Sequence, residues 1–247
     1  MKIYLASILS LLLIPFISIA SDVTQIPDAN TQNASVSVLP YKSMSTSSNE
    51  QEQLSSRMKE IRKNGYVEME SDYAQFLFSL PKHSSKEILE YQYADENDTH
   101  LKNSISQIKL AFPYSGVSFL EKENIIGFGA IGNWDEKNKG WTGVVEFFYY
   151  QSLGICALNI FNTKLSHGVN QVANEVARYD INNMPNVLSV EGNAKTGFLY
   201  HITFYQHDYW KELECANKIY DPKKTKQLIM LARKLDQDHG STVLNKI

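Results

Sequence analysis

Glu146, Glu191 and His201 are the side chains of this 247-residue chain whose surroundings best suit acid–base chemistry. Glu146 is the one charge inside an aromatic and β-branched run, WTGVVEFFYY at 141–150. A carboxyl among apolar neighbours, once buried, binds its proton more tightly and suits a general acid. Glu191 closes a separate apolar run, and beside Glu146 it would complete a carboxylate pair of the glycosidase kind. The competing reading leaves Glu146 facing solvent or paired with a cation at a sheet edge. His201 lies within 198–205, on the side shared with Leu199, Thr203 and Tyr205.

The other histidines are scattered: His83, His100, His167, His207 and His239. His201 and His207 would need a third ligand, such as Asp208, to hold a metal. A hydrogen-bonded strand histidine and a surface histidine explain the pair without one. No metal and no cofactor is expected.

Cys156 and Cys215 are the two cysteines, 59 residues apart. Cys156 shares a period-two face with Leu158 and Ile160, which is a core face. In an oxidising compartment an even pair reads first as a disulfide, worth about 4 kcal/mol for a loop of this size in the chain-entropy account. Two buried thiols, or a cysteine nucleophile, are the rivals; a nucleophile would need an accessible site that favours the thiolate.

Gly127–Gly132 spells G-x-G-x-x-G, but turn residues follow it where a dinucleotide site needs a helix N-terminus. Glycines in a strand more often mark a bulge or a close backbone approach. Trp134, Asp135 and Trp141 flank a polar turn and form a possible ligand surface for a sugar or peptide. Packing of the two indoles across a hairpin is the plainer account. No G-x-S-x-G, H-E-x-x-H or EF-hand pattern occurs, so no motif carries an activity.

The elements that must position these groups are read from periodicity. The spacing predicts a helix over 54–63 with Gly65 as its stop, an amphipathic helix over 66–80 ended by Pro81, and a polar stretch over 82–104. Strands are expected at 125–131, 141–150 and 153–161, then a helix over 166–179 ended by Asn182-Asn183. A second hairpin pairs 187–191 with 198–205. Asp208 would cap a helix to Tyr220, and Asp221-Pro222 would start a last helix to Gln237 with Leu228, Leu231, Ala232 and Leu235 buried. The expected fold is α+β: an antiparallel sheet of about five strands built from hairpins and packed by helices.

Residues 1–20 read as a secretory signal peptide: Lys2, an apolar core, then small residues before a cleavage point between Ala20 and Ser21. Pro15 and Ser18 break the apolar run, which argues against a spanning anchor and against stable membrane insertion after cleavage. Residues 21–53 are polar and read as a disordered linker. Residues 54–247 form a single α+β domain, mainly helical over 54–120 and sheet with helices over 121–247. The net charge is −3, and more acidic by one without Lys2, so no basic face for nucleic acid is expected. These features describe an exported protein, periplasmic or extracellular. It would be a non-catalytic binding module for an envelope protein or small ligand. The alternative is a secreted hydrolase of a glycan or peptide using acidic or histidine groups.

Overall fold

The computed structural model describes residues 36–44, 47–80, 101–166 and 170–238. In chain order these hold β1 (Val36–Leu39), α1 (Ser48–Asn64), β2 (Val67–Glu68), α2 (Asp72–Ser79), β3 (Ile125–Asp135), β4 (Gly140–Tyr150), β5 (Gly154–Asn162) and α3 (Thr163–Ser166). They continue with β6 (Asn170–Ala173), β7 (Arg178–Ile181), β8 (Met184–Asn193), β9 (Gly197–Gln206), β10 (Tyr209–Asn217) and α4 (Pro222–Gln237). The fold is α+β. The signal peptide, its cleavage point, His83, His100, His167 and His239 lie outside the described residues.

Two antiparallel meanders make the sheet. β3, β4 and β5 form one; β8, β9 and β10 form the other. They meet through their third strands, β5 against β10, giving the order β3-β4-β5-β10-β9-β8. The far edge of β8 is shared by β7 at its start and β2 at its end. Among the described residues this is an eight-stranded sheet, with β1 and β6 pairing separately as a parallel ribbon. The expectation of about five purely antiparallel strands is therefore corrected: β2 runs parallel to β8.

Tight turns set the meander registers. Gly154 and Gly197 begin their strands at φ +86° and +89°, a conformation that favours glycine after a short hairpin loop. At the second of these turns the Asn193 carboxamide oxygen accepts from the backbone of Lys195 and Thr196. The G-x-G-x-x-G run lies within β3, as a strand interrupted by register shifts rather than a phosphate loop. A Cβ on Gly127 would press on Leu101 and the Lys102 carbonyl, so the glycine permits a close approach.

Both faces of the sheet are covered. The first face carries Phe148, Leu158, Tyr200, Ile202 and Leu213 beneath Leu228, Leu231, Ala232 and Leu235 of α4. That helix is as expected: Asp221 caps it by accepting from the Lys223 N–H, and Pro222 sits in its first turn. The second face packs against α2 at one end, through Tyr73, Ala74 and Leu77 over Phe147, Ala157 and Leu199. At its other end Trp210 and Tyr205 pack against Val172, with Val36 and Val38 of the ribbon beside them.

Other expectations fail for identifiable reasons. The segment 166–179 is not one helix; it holds β6 and part of β7. Asn182-Asn183 does not end a helix but turns the β7–β8 hairpin, with φ of 43° and 59° at its two central residues. The helix expected from Asp208 is β10, and His207, at φ 53°, belongs to the β9–β10 turn. The 66–80 helix is shorter, α2 alone, preceded by β2. Inside the stretch read as linker, 36–39 is a strand and α1 starts at Ser48 on a Ser47–Glu50 capping box; Gly65 ends that helix as expected.

Cys156 and Cys215 are directly opposed in the β5–β10 pairing and joined as a disulfide, with Cα atoms 4.1 Å apart. The bond lies on the first face and ties one meander to the other. Reduction should lower unfolding free energy by about 2–4 kcal/mol, measured as the urea midpoint with and without dithiothreitol. An unchanged midpoint would show that the cross-link does not stabilise this seam.

Candidate functional site

The period-two alternation of the central strands divides their polar residues between the faces. On β4, Glu146 points to the first face with Val144 and Phe148. Its carboxylate accepts from the Tyr114 hydroxyl and, at 3.1 Å, from the Val117 N–H. Burial raises its pKa, and the Tyr114 and Val117 hydrogen bonds pull against that rise. Glu146 thus anchors the 112–120 segment over the first face. The Ser118 N–H continues this anchoring by donating to Asp238 beyond α4, at 2.9 Å.

Glu191 and His201 lie on the second face, through the sheet from Glu146. The structure does not bring Glu146 to either of them, so the expected Glu146–Glu191 pair is not formed. His207 stands apart from His201 at the turn. Among the described residues no group of three or more His, Cys, Asp or Glu side chains is arranged to hold a metal ion.

What the second face does assemble is a polar strip between the α2 end and the ribbon end. Two register rows build it. Ser189 of β8, His201 of β9 and Glu214 of β10 stand opposite one another in the first. Thr203, Glu212 and Asn159 of β9, β10 and β5 do so in the second. The Asn159 amide nitrogen donates to both carboxylates, 3.4 Å to Glu212 and 3.2 Å to Glu214. Tyr73 of α2 also hydrogen-bonds Glu214, and Arg57 of α1 acts electrostatically on Glu191.

Burial dominates the electrostatics. It pushes the Glu212 carboxyl up to about 7, with the Asn159 hydrogen bond opposing. Glu214 is pushed well above the usual range by burial and then by the Glu212 and Glu191 charges. Burial also raises Glu191, against the pull of Arg57. It lowers His201 to about 4, so the imidazole is neutral. Two like charges beside one amide cannot both ionise cheaply, and the pair shares its protons.

The strip is not fully satisfied. Glu212 Oε1 and His201 Nε2 are buried and have no hydrogen-bond partner among the described residues. His201 is 9% exposed and Glu214 4%. The order serine, histidine, glutamate across three strands resembles a nucleophile relay, but its hydrogen bonds do not form one. The Ser189 hydroxyl meets His201 Nδ1 at a long 3.5 Å, and Nε2 receives nothing from Glu214.

Trp134 and Trp141 are cross-strand neighbours with ring centroids 5.5 Å apart, edge to face. Trp134 is 37% exposed, and Asp135 accepts from the Asn138 N–H within the turn. Indole packing closes this hairpin. Glu212 and Glu214 were missed as site residues because 208–220 reads as helix; as a strand, the same residues alternate Trp210, Glu212, Glu214, Ala216 on one side. No known family model, curated protein or solved structure matches the chain.

The two opposed pKa shifts give a pH signature. Glu212 is raised above its ordinary 4.5, so its stability contribution is full below about 4.5 and is lost as pH rises toward 7. His201 is lowered from 6.5 to about 4, so its contribution is present above 6.5 and lost as pH falls toward 4. Across pH 4.5–6.5 the two slopes oppose. Glu212→Gln should therefore make stability rise more steeply with pH, by up to about 1.4 kcal/mol per unit. His201→Gln should shift the slope the other way. Urea unfolding at several pH values measures both, and equal slopes in all three proteins would contradict the burial of these groups.

Proposed function

We propose that the protein is an exported, non-catalytic binding module whose small ligand rests on the second face, against Ser189, His201, Glu212 and Glu214. The observation that carries this is the pair of buried, partnerless atoms, Glu212 Oε1 and His201 Nε2. Each such atom costs about 1–3 kcal/mol when left unsatisfied. A ligand with complementary polar groups would remove that cost at both atoms, which stand on the adjoining strands β9 and β10 of one strip. The burial of Ser189, His201, Glu212 and Glu214 favours a small molecule over an envelope protein as partner. Export is supported by the layout of residues 1–20 and by the paired cysteines, a feature of oxidising compartments. Among the described residues no helix is long and apolar enough to cross a membrane.

A hydrolase is the second reading, favoured by the two carboxyls that share Asn159. One protonated and one ionised carboxyl side by side can act as general acid and base on a glycan or peptide. Glu212 and Glu214 then take the roles first sought in Glu146 and Glu191.

Differential scanning fluorimetry with small amines, amino acids, sugars and polyols tests the binding reading. At least one class should stabilise the wild type, by about 2.7 kcal/mol at one hundred times its Kd, and should fail to stabilise Glu212→Gln. If no class stabilises the wild type, the reading falls. Steady release of a cleavage product, abolished in Glu212→Gln, would replace it with the hydrolase.

A further inference from the structure

The chemistry of the strip narrows what can sit on it. Three carboxyls lie on one face, Glu191 on β8 and Glu212 and Glu214 on β10, with β9 between them, and a single described cation, Arg57, acts on Glu191. Tyr73 and Asn159 supply hydrogen bonds to the pair. The Ser189 oxygen lies 3.5 Å from His201 Nδ1, and in the tautomer that carries its proton on Nδ1 the other ring nitrogen, Nε2, is an acceptor. The Thr203 hydroxyl oxygen already accepts from the Val187 N–H. In that tautomer Glu212 Oε1 and His201 Nε2 are both open acceptors, in a region rich in acceptors. Tyr205 and Trp210 close the strip at the ribbon end with aromatic rings, and such faces attract cations.

We propose that Glu212, Glu214 and His201 form a site for an organic cation, a primary ammonium or guanidinium group whose N–H donors satisfy Glu212 Oε1 and His201 Nε2. The inference rests on the binding reading above and names the ligand class for that site. No group of metal-ligating side chains is present among the described residues, so a bare divalent ion is the poorer occupant. The neighbours facing the pair are Tyr73 from α2, Glu191 from β8, and His201 and Tyr205 from β9, with the ribbon contributing valines. None of these is a cation at neutral pH, so an entering cation is the charge that lets one carboxyl, Glu212, ionise beside its still protonated neighbour. Binding then exchanges one positive group for one proton: the carboxyl proton leaves to solvent as the N–H donors take its place.

Isothermal titration calorimetry with guanidinium chloride, butylammonium chloride and urea, all at millimolar concentration and constant ionic strength, tests this. Urea has the shape of guanidinium without its charge. At least one of the two cations should bind while urea does not. Comparison of phosphate and PIPES buffers should show release of about one proton below neutral pH, with affinity rising up to tenfold per pH unit there. Binding should be lost in Glu212→Gln and weakened in His201→Gln, with circular dichroism confirming that both fold. The wild-type proton count stands even if a variant does not fold. Urea binding as tightly as guanidinium, cation binding without proton release, or cation binding that survives in folded Glu212→Gln would overturn the cation assignment. Absence of binding by both cations would overturn it as well. If sugars or polyols stabilise the protein in a Glu212-dependent way while the cations do not, the binding reading survives and this assignment alone falls.

Discussion

The pairing of β5 with β10 is the constraint on which the rest of the structure depends. It joins the two meanders and places unlike chemistry on the two sides of one seam. Cys156 and Cys215 face α4, while Asn159, Glu212 and Glu214 face the other way. Because side chains alternate with a period of two, a one-residue slip would drive both glutamates into the apolar layer beneath α4. The disulfide fixes the register on one face, and the polar strip on the other face exists only in that register. Neither side of the seam can be changed independently.

Energetically the seam is lopsided. The first face is mainly apolar under an amphipathic helix; it also buries Lys211, whose ammonium donates to Gln206 and the Leu235 carbonyl, and Glu146, which Tyr114 and Val117 satisfy at one oxygen only. The second face keeps glutamates and a neutral histidine in surroundings where removal of charge from water costs several kcal/mol per ion. Apolar side chains at Glu212 and Glu214 would extend the flanking clusters formed by Leu199, Ala157 and Trp210 without that cost. The second face gathers two such unsatisfied atoms, Glu212 Oε1 and His201 Nε2, on adjoining strands, and the proposed site rests on that juxtaposition.

Much of the architecture is legible in the chain. Asp221-Pro222 marks α4 and its spacing names its buried face; the aromatic run around Glu146 marks β4; the two cysteines pair. The polar strip is hidden for a physical reason. In YWKELECAN, the lysine and glutamates are good helix formers and would normally be solvent-facing, whereas here both sides of β10 are buried, so alternation shows no apolar–polar contrast. Val36 and Val38 do alternate with polar residues, but within a long polar tail that masks so short a strand. Asn182-Asn183 fits a helix end and a hairpin turn equally well until the partner strand is known. Which of Glu146, Glu191 and His201 share a face depends on long-range register, which no local pattern encodes.

The most direct measurement is a pH titration of the Glu212 and Glu214 side-chain carboxyls by carbon-13 NMR on the disulfide-intact protein, assigned with Glu212→Gln and Glu214→Gln. Both should titrate above the ordinary carboxylate range, in coupled steps, so that replacing one shifts the other. Independent titration of both near the free value of about 4.3 would show that they are solvated, and the proposed site would not exist.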